Sequence, residues 1–277
     1  MSEALPHNLA ARLAARVSRP FWRRETMDAT HADRPRHAVR TRVRALIRSF
    51  SRRQLRNNEV AIIVMAALLG FLIGLAVVAV REIMQWMHET NFAMRPDRLL
   101  SEGVNPISWR DATVPVIGGL AVAVAVLLIR RWRPREIVDA IEANALYGGK
   151  MSLIDSFNLA ILTLLSGGFG ASVGLEAAYT QLGAGFASNC GEALRVRRED
   201  LRTLVGCGAA AAIAAAFNAP LAGAFYAFEL VIGSYSPTVL APVGIAAITG
   251  TVAVRATLGP EPLFLVTQRI AIGNWDY

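Results

Sequence analysis

The 277 residues are 54% hydrophobic, with a positive mean hydropathy of +0.39, which is enough chain for one or two globular domains or for a bundle of membrane spans. Long uncharged stretches exclude an ordinary soluble core: Thr203 to Val254 carries a single charge, Glu229, and Met151 to Leu194 carries Asp155, Glu176 and Glu192 with no Lys or Arg. The net charge of +8 is just as uneven, because residues 1–56 hold 14 Arg against 4 acids, a balance of +10, which leaves the remainder at 8 − 10 = −2.

Residues 1–56 are therefore a basic tail, expected in the cytoplasm under the positive-inside rule. Such an arm suits nucleic acid or anionic lipid, but the plain reading is a solvated segment; membrane lipid is an expected partner of the protein, and nucleic acid is not. Within it Val39, Val43, Leu46 and Ile47 recur at helical spacing among Arg and predict an amphipathic helix over Val39 to Phe50. No secretory signal is expected, since the first apolar run begins only at residue 60.

From 57 to 258 the pattern predicts a membrane domain. Val60 to Val80 gives 21 positions without a charge, about the thickness of a bilayer core when helical. The loop from Arg81 to Asp111 holds 4 Arg against 5 acids and is expected outside, and all four His lie outside the apolar runs. Thr113 to Ile129 predicts a second span, followed by Arg130, Arg131, Arg133 and Arg135, which again places positive charge in the cytoplasm. The orientation expected is multi-pass in the inner membrane with the N-terminus cytoplasmic.

Beyond residue 136 short apolar pieces replace long spans: Glu136 to Leu146, Leu153 to Ser166, Leu175 to Ser188, Leu201 to Phe217 and Leu221 to Ile232, then a longer one from Thr238 to Val254. Several are too short to cross about 30 Å of hydrocarbon. Broken helices leave backbone N–H and C=O groups unpaired, which a membrane tolerates only where they face protein or a water-filled cavity. Such cavities are where transport sites are found. Cys190 and Cys207 are expected as small core residues, and no nucleophile–base pair, metal cluster or cofactor motif points to an enzyme.

Two segments carry chemistry. In GGFGASVGLEAAYTQLG, residues 167–183, the glycines permit a tight turn and a fresh helix starts at Leu175, so Glu176 sits in its first turn. Free N–H groups and the positive end of the dipole make that turn an anion site, favouring a negative charge by roughly 0.3 to 2 kcal/mol. Glu176 either caps its helix or occupies the site until an anion or a proton displaces it. Its place in a stretch without Lys or Arg favours the functional role, since intramembrane carboxylates are costly. In AAAFNAPLAGAFYAFE, residues 214–229, Phe217, Asn218 and Pro220 form a hinge between two antiparallel short helices, with Pro at a first helical position. The small residues from Gly206 to Ala216 permit close helix packing.

The second segment resembles the stretch of CLC chloride transport proteins in which two short helices meet at AAxFNAPLAG and end in a Glu. The first is similar to that family's G-[KR]-E-G-P turn, here Gly174, Leu175, Glu176, Ala177 and Ala178, followed by the family's Gln181 and Gly183. The resemblance covers roughly residues 60–258. It implies an all-α membrane fold holding the first of two inverted repeats and the start of the second, with 259–277 a loop and a C-terminal half missing. It also implies chloride transport by a homodimer packed through the small-residue hinge helices. By the same resemblance the backbone around Gly174, Leu175, Ala177 and Ala178 binds the anion, Glu176 is the gate, and Glu229 is the acidic residue near an internal proton route. Two departures stand out. The family's GSGIP turn matches Pro134 to Val138, which has no Ser, so the central site uses backbone N–H groups alone or another side chain. The family's exchangers carry a second Glu after the position of Glu229, where this chain has Leu230, which implies passive, channel-like flux. A proton exchanger, a transporter of another anion and a non-conducting membrane scaffold are the alternatives.

Overall fold

A computed structural model describes residues 59–92, 109–134 and 136–259, without the side chains of Glu59, Arg110 and Asp111. The basic tail with its amphipathic segment, and all of 259–277 except Gly259, lie outside the described residues. Among those described, all regular structure is helical: α1 Glu59–Phe92, α2 Trp109–Trp132, α3 Ala140–Leu146, α4 Leu153–Gly168, α5 Glu176–Leu194, α6 Arg198–Phe217, α7 Pro220–Tyr226, a π-helical turn Ala227–Ile232, and α8 Pro237–Leu258. Four of them, α1, α2, α6 and α8, are long and apolar enough to cross a membrane.

Helix boundaries depart from the sequence pattern where charge alone had set them. The first span does not stop at Val80; α1 continues to Phe92 and takes up the start of the expected outer loop, including His88. Gln85 and Glu89, one turn apart, are hydrogen-bonded, and the extension is docked by His88 Nε2 on Gly167 O at 3.0 Å and by Asn91 Nδ2 donating to Gly168 O at 2.9 Å. The piece expected from Glu136 has no regular structure as far as Asp139, whose carboxylate accepts from Glu142 N at 2.7 Å and starts α3 at Ala140, four residues later than the apolar run implied. The helix at Leu201 is longer than its apolar run: α6 reaches back to Arg198 and has 20 residues.

α6 is the axis of the bundle. Its residues from Val205 to Ala212 are buried without remainder, and α5, α8, α1 and α7 all pack on it. Side chains this small let backbones nearly touch. Gly183 of α5 faces Gly208 of α6, and Gly191 faces Leu201, so α5 and α6 run antiparallel; Gly70 and Gly74 of α1 face Ala246 and Gly250 of α8, so those two run parallel. The small-residue face of α6 is thus consumed inside the subunit.

Basic side chains collect at one end of the bundle. Arg130 and Arg131 close α2, Arg133 pairs with Asp155 in the first turn of α4 at 2.7 Å, Lys150 reaches Glu192 at 3.7 Å, and Arg195 to Arg198 turn α5 into α6. The α1 extension meets the opposite end, at Gly167 and Gly168.

Candidate functional site

α4 ends at Gly168 with Phe169 as its C-cap, Gly170 turns at φ 90°, and the chain runs without regular structure to Gly174 before α5 begins. No side chain caps α5: Leu175 stands at its N-cap without a side-chain bond, and Tyr179 N–H is the first to bond back, to Leu175 O at 2.9 Å. The preceding N–H groups of the first turn have no intrahelical partner by geometry. Glu176 is the first residue of the helix and is exposed, and its carboxylate folds back over the turn so that Oε2 rests where a Cβ on residue 174 would lie. That oxygen is the far end of a flexible, exposed side chain, free to swing away from the turn. Ala177 is exposed beside it and Ala178 is fully buried.

Two further polar side chains bear on this turn. Thr180 Oγ1 donates to Glu176 O at 2.8 Å. Gln181 Nε2 donates to Val138 O at 2.8 Å and fixes the segment before α3 against α5. Tyr226, the last residue of α7, is half-buried and packs with Val138 against a cluster that includes Ala184 of α5 and Val205 of α6. Of these residues the sequence pattern singled out Glu176 for chemistry. A signal for Asp139 existed in the D-x-x-E spacing of a helix start, and Thr180 lies one turn after Glu176, but nothing in the sequence joins Tyr226 to Val138.

Other sequence-predicted residues lie elsewhere. Phe217 ends α6, Asn218 adopts the left-handed conformation at φ 53°, and Pro220 opens α7, so the hinge is a hairpin as read. Asn218 Oδ1 accepts from Arg255 Nε of α8 at 2.7 Å and takes no part in the Glu176 group. Glu229 is exposed in the π-helical turn, where Tyr235 Oη donates to its Oε1 at 2.8 Å. That bond to a carboxylate pushes the Tyr235 phenol up from its ordinary pKa. Leu230 beside it is 50% exposed. The π geometry coincides with Asn144 of α3, wholly buried, which donates from Nδ2 to Val231 O at 2.7 Å. A separate cavity of about 390 Å³ between α1, α4 and α5 is lined by apolar side chains and Tyr179, not by Glu176. No cluster of metal-ligating side chains occurs among the described residues.

Comparison with known proteins places this arrangement. The family described as voltage gated chloride channel matches residues 118–277. The ClcB-like chloride channel protein of Ralstonia nicotianae is 34% identical over 173 residues, 61% of this chain and 40% of that protein. The voltage-gated ClC-type chloride channel ClcB of Yersinia pestis is 27% identical over 211 residues, 75% of this chain and 51% of that protein. The crystal structure of a slow cyanobacterial Cl-/H+ antiporter superposes with a TM-score of 0.54 at 22% identity, over 70% of this chain and 46% of that one, a likeness of fold. The chain thus spans about half the length of these relatives or less.

Proposed function

Because the chain belongs to the voltage gated chloride channel family and is a multi-pass membrane protein, we propose that it forms part of a passive pathway for chloride or a similar small anion, gated by Glu176. The observation that carries this reading is the Glu176 carboxylate lying over the uncapped first turn of α5. An anion at that place meets unpaired backbone N–H groups and the positive end of a 19-residue helix, the arrangement that binds anions without Lys or Arg. The carboxylate is itself an anion on a short tether, so it competes with the permeant ion when ionised and withdraws when protonated or displaced. The backbone from Gly174 to Ala178 supplies the donors.

Orientation follows from the charge at the bundle's ends. Arg130, Arg131, Arg133, Lys150 and Arg195 to Arg198 share one end, and the positive-inside rule assigns that end to the cytoplasm. α1 then enters from the cytoplasmic side of the inner membrane, and Glu176, at the far end of α5 from Arg195, faces outward. Leu230 gives the π-helical turn no second proton carrier beside Glu229, which supports passive flux over exchange. A homodimer with one pathway per subunit completes the proposal.

The test is chloride efflux from liposomes containing the full-length protein. Glu176→Ala removes the tethered competitor, so the dependence of flux on external pH flattens while folding is retained. A simple cap would cost only about 1 kcal/mol of stability and leave the pH profile as it was. An unchanged profile in a folded Glu176→Ala protein rejects the gate.

A further inference from the structure

We propose that His88 and Asn91 are positioning residues for the gate: donors on the outer end of α1 that hold the carbonyl end of α4 and so set where the following turn presents Glu176. The proposal rests on the reading of Glu176 as the gate and deepens it. The last carbonyls of a helix have no intrahelical partner. At the end of α4 the chain's own next N–H groups meet some of them: Phe169 N donates to Leu165 O at 3.2 Å, Ala171 N to Ser166 O at 3.1 Å and Gly170 N to Gly167 O at 2.9 Å. α1 supplies the rest. His88 Nε2 adds a second bond to Gly167 O at 3.0 Å, and Asn91 Nδ2 donates to Gly168 O at 2.9 Å. The two side chains lie one turn apart on the same face of α1, so they meet consecutive carbonyls together. A carbonyl accepts only, so the His88 ring carries a proton on Nε2, which the neutral tautomer and the imidazolium both provide. Its role is therefore one of position, not of titration.

The grip extends beyond the two bonds. Met84, Met87 and Phe92 of α1 lie against Gly167, Gly168 and Gly170, and the His88 ring stands edge-on to Phe92 with 6.3 Å between centroids. Phe169 lies against Gly118 of α2. Residues 167–170 are thus engaged by α1 and α2 and are buried or half-buried, whereas 171–174 are exposed and have no regular structure. Glu176 comes directly after that stretch, on a helix fixed to α6 where Gly183 meets Gly208. The segment that aims the carboxylate therefore hangs between two anchors. One is the packing of α5 on α6, and the other is the set of α1 side chains at the end of α4. α1 is itself held, through Gly70 and Gly74 against α8, so its donors stand on a fixed support.

The experiment is chloride flux from liposomes containing the full-length protein, at neutral and at acidic external pH, for His88→Ala, His88→Gln, Asn91→Leu and Glu176→Ala. Truncating either α1 donor removes one hydrogen bond from a half-buried side chain, a change that leaves the fold in place. A turn that no longer aims the carboxylate at the first N–H groups of α5 lets chloride compete better. His88→Ala and Asn91→Leu therefore raise flux at neutral pH by roughly two- to thirtyfold, the range that a helix terminus is worth to a charge. Flux at acidic pH, where the gate is already withdrawn, stays at its wild-type value. His88→Gln keeps an amide donor within reach of Gly167 O and keeps the wild-type ratio of the two fluxes. If His88→Ala and Asn91→Leu keep that ratio while Glu176→Ala flattens the pH dependence, the proposal falls and the gate stands. Flux lowered at both pH values in either variant makes the contact a structural one and overturns the proposal, as does His88→Gln behaving like His88→Ala. Persisting pH dependence in Glu176→Ala overturns the gate and this proposal with it.

Discussion

At the crossing of α5 and α6, Gly208→Ala puts a methyl group where there is no room for one. Its carbon stands 2.7 Å from the Gly183 carbonyl carbon and 2.9 Å from Ala187 Cβ, with the Gly183 carbonyl oxygen nearer still, against an optimum of about 3.5 to 4.0 Å for carbon contacts. α6 cannot step aside, because α8 and α1 pack on it as well. Overpacking of this kind costs about 1 to 3 kcal/mol, and the better helix propensity of Ala returns about 1 kcal/mol. Gly119 of α2 supplies the reference: nothing lies within 4 Å of a methyl placed there, so Gly119→Ala keeps the propensity gain and adds no collision. The two variants share one term, and their difference isolates the other, about 1 to 3 kcal/mol in favour of Gly119→Ala. Thermal unfolding in detergent reads this as a midpoint several degrees lower for Gly208→Ala. If Gly208→Ala matches or exceeds Gly119→Ala, the close approach of α5 and α6 is not what holds the gate helix.

Leu230 yields a transport prediction: reconstituted protein given an outward chloride gradient, with voltage clamped by valinomycin, moves no protons uphill. Stoichiometric proton movement against its gradient makes it an exchanger. At Asp139, replacement by Asn keeps an equally good helix cap, whereas Asp139→Ala loses the bond to Glu142 N and about 1 kcal/mol of stability. Equal thermal midpoints for Asp139→Ala and Asp139→Asn in detergent contradict that capping role.

Much of this bundle is legible in the sequence because bilayers impose length and apolarity on what crosses them. α2 and α8 fall where uncharged runs put them, and the Asn218–Pro220 hairpin follows from residues that dictate their own backbone. What escaped was set by partners distant in sequence. Arg81 and Glu82 end an uncharged run, yet α1 continues because the carbonyls of Gly167 and Gly168 await His88 and Asn91, 79 and 77 residues earlier. The candidate site divides in the same way. Glu176 is visible from the glycine turn before it, whereas Tyr226 joins Val138 and Ala184 only after the hairpin folds α7 back on α6, where Gly223 lies against Ala210 and Ala214. The small residues of α6 predict close packing, and α5, α8 and α7 supply it; a stripe of Ala and Gly says that something packs closely without saying what.

That central helix also bears on how the protein is made. Long aliphatic and aromatic side chains each favour entry into the bilayer by about 0.3 to 0.6 kcal/mol, while Arg and Asp oppose it by several times more. α6 brings Leu201, Leu204, Val205, Ile213 and Phe217 against Arg198, Glu199, Asp200 and Arg202. As a solitary segment leaving the ribosome it is a poor candidate for lateral release into lipid, and its stable environment is a slot between α1 and α8, the second of which is synthesised later. Glycosylation-site mapping of nascent chains ending before and after Leu258 reports this order, with α6 spanning only in the longer ones. The helix that supports every neighbour is then the one that enters the membrane last.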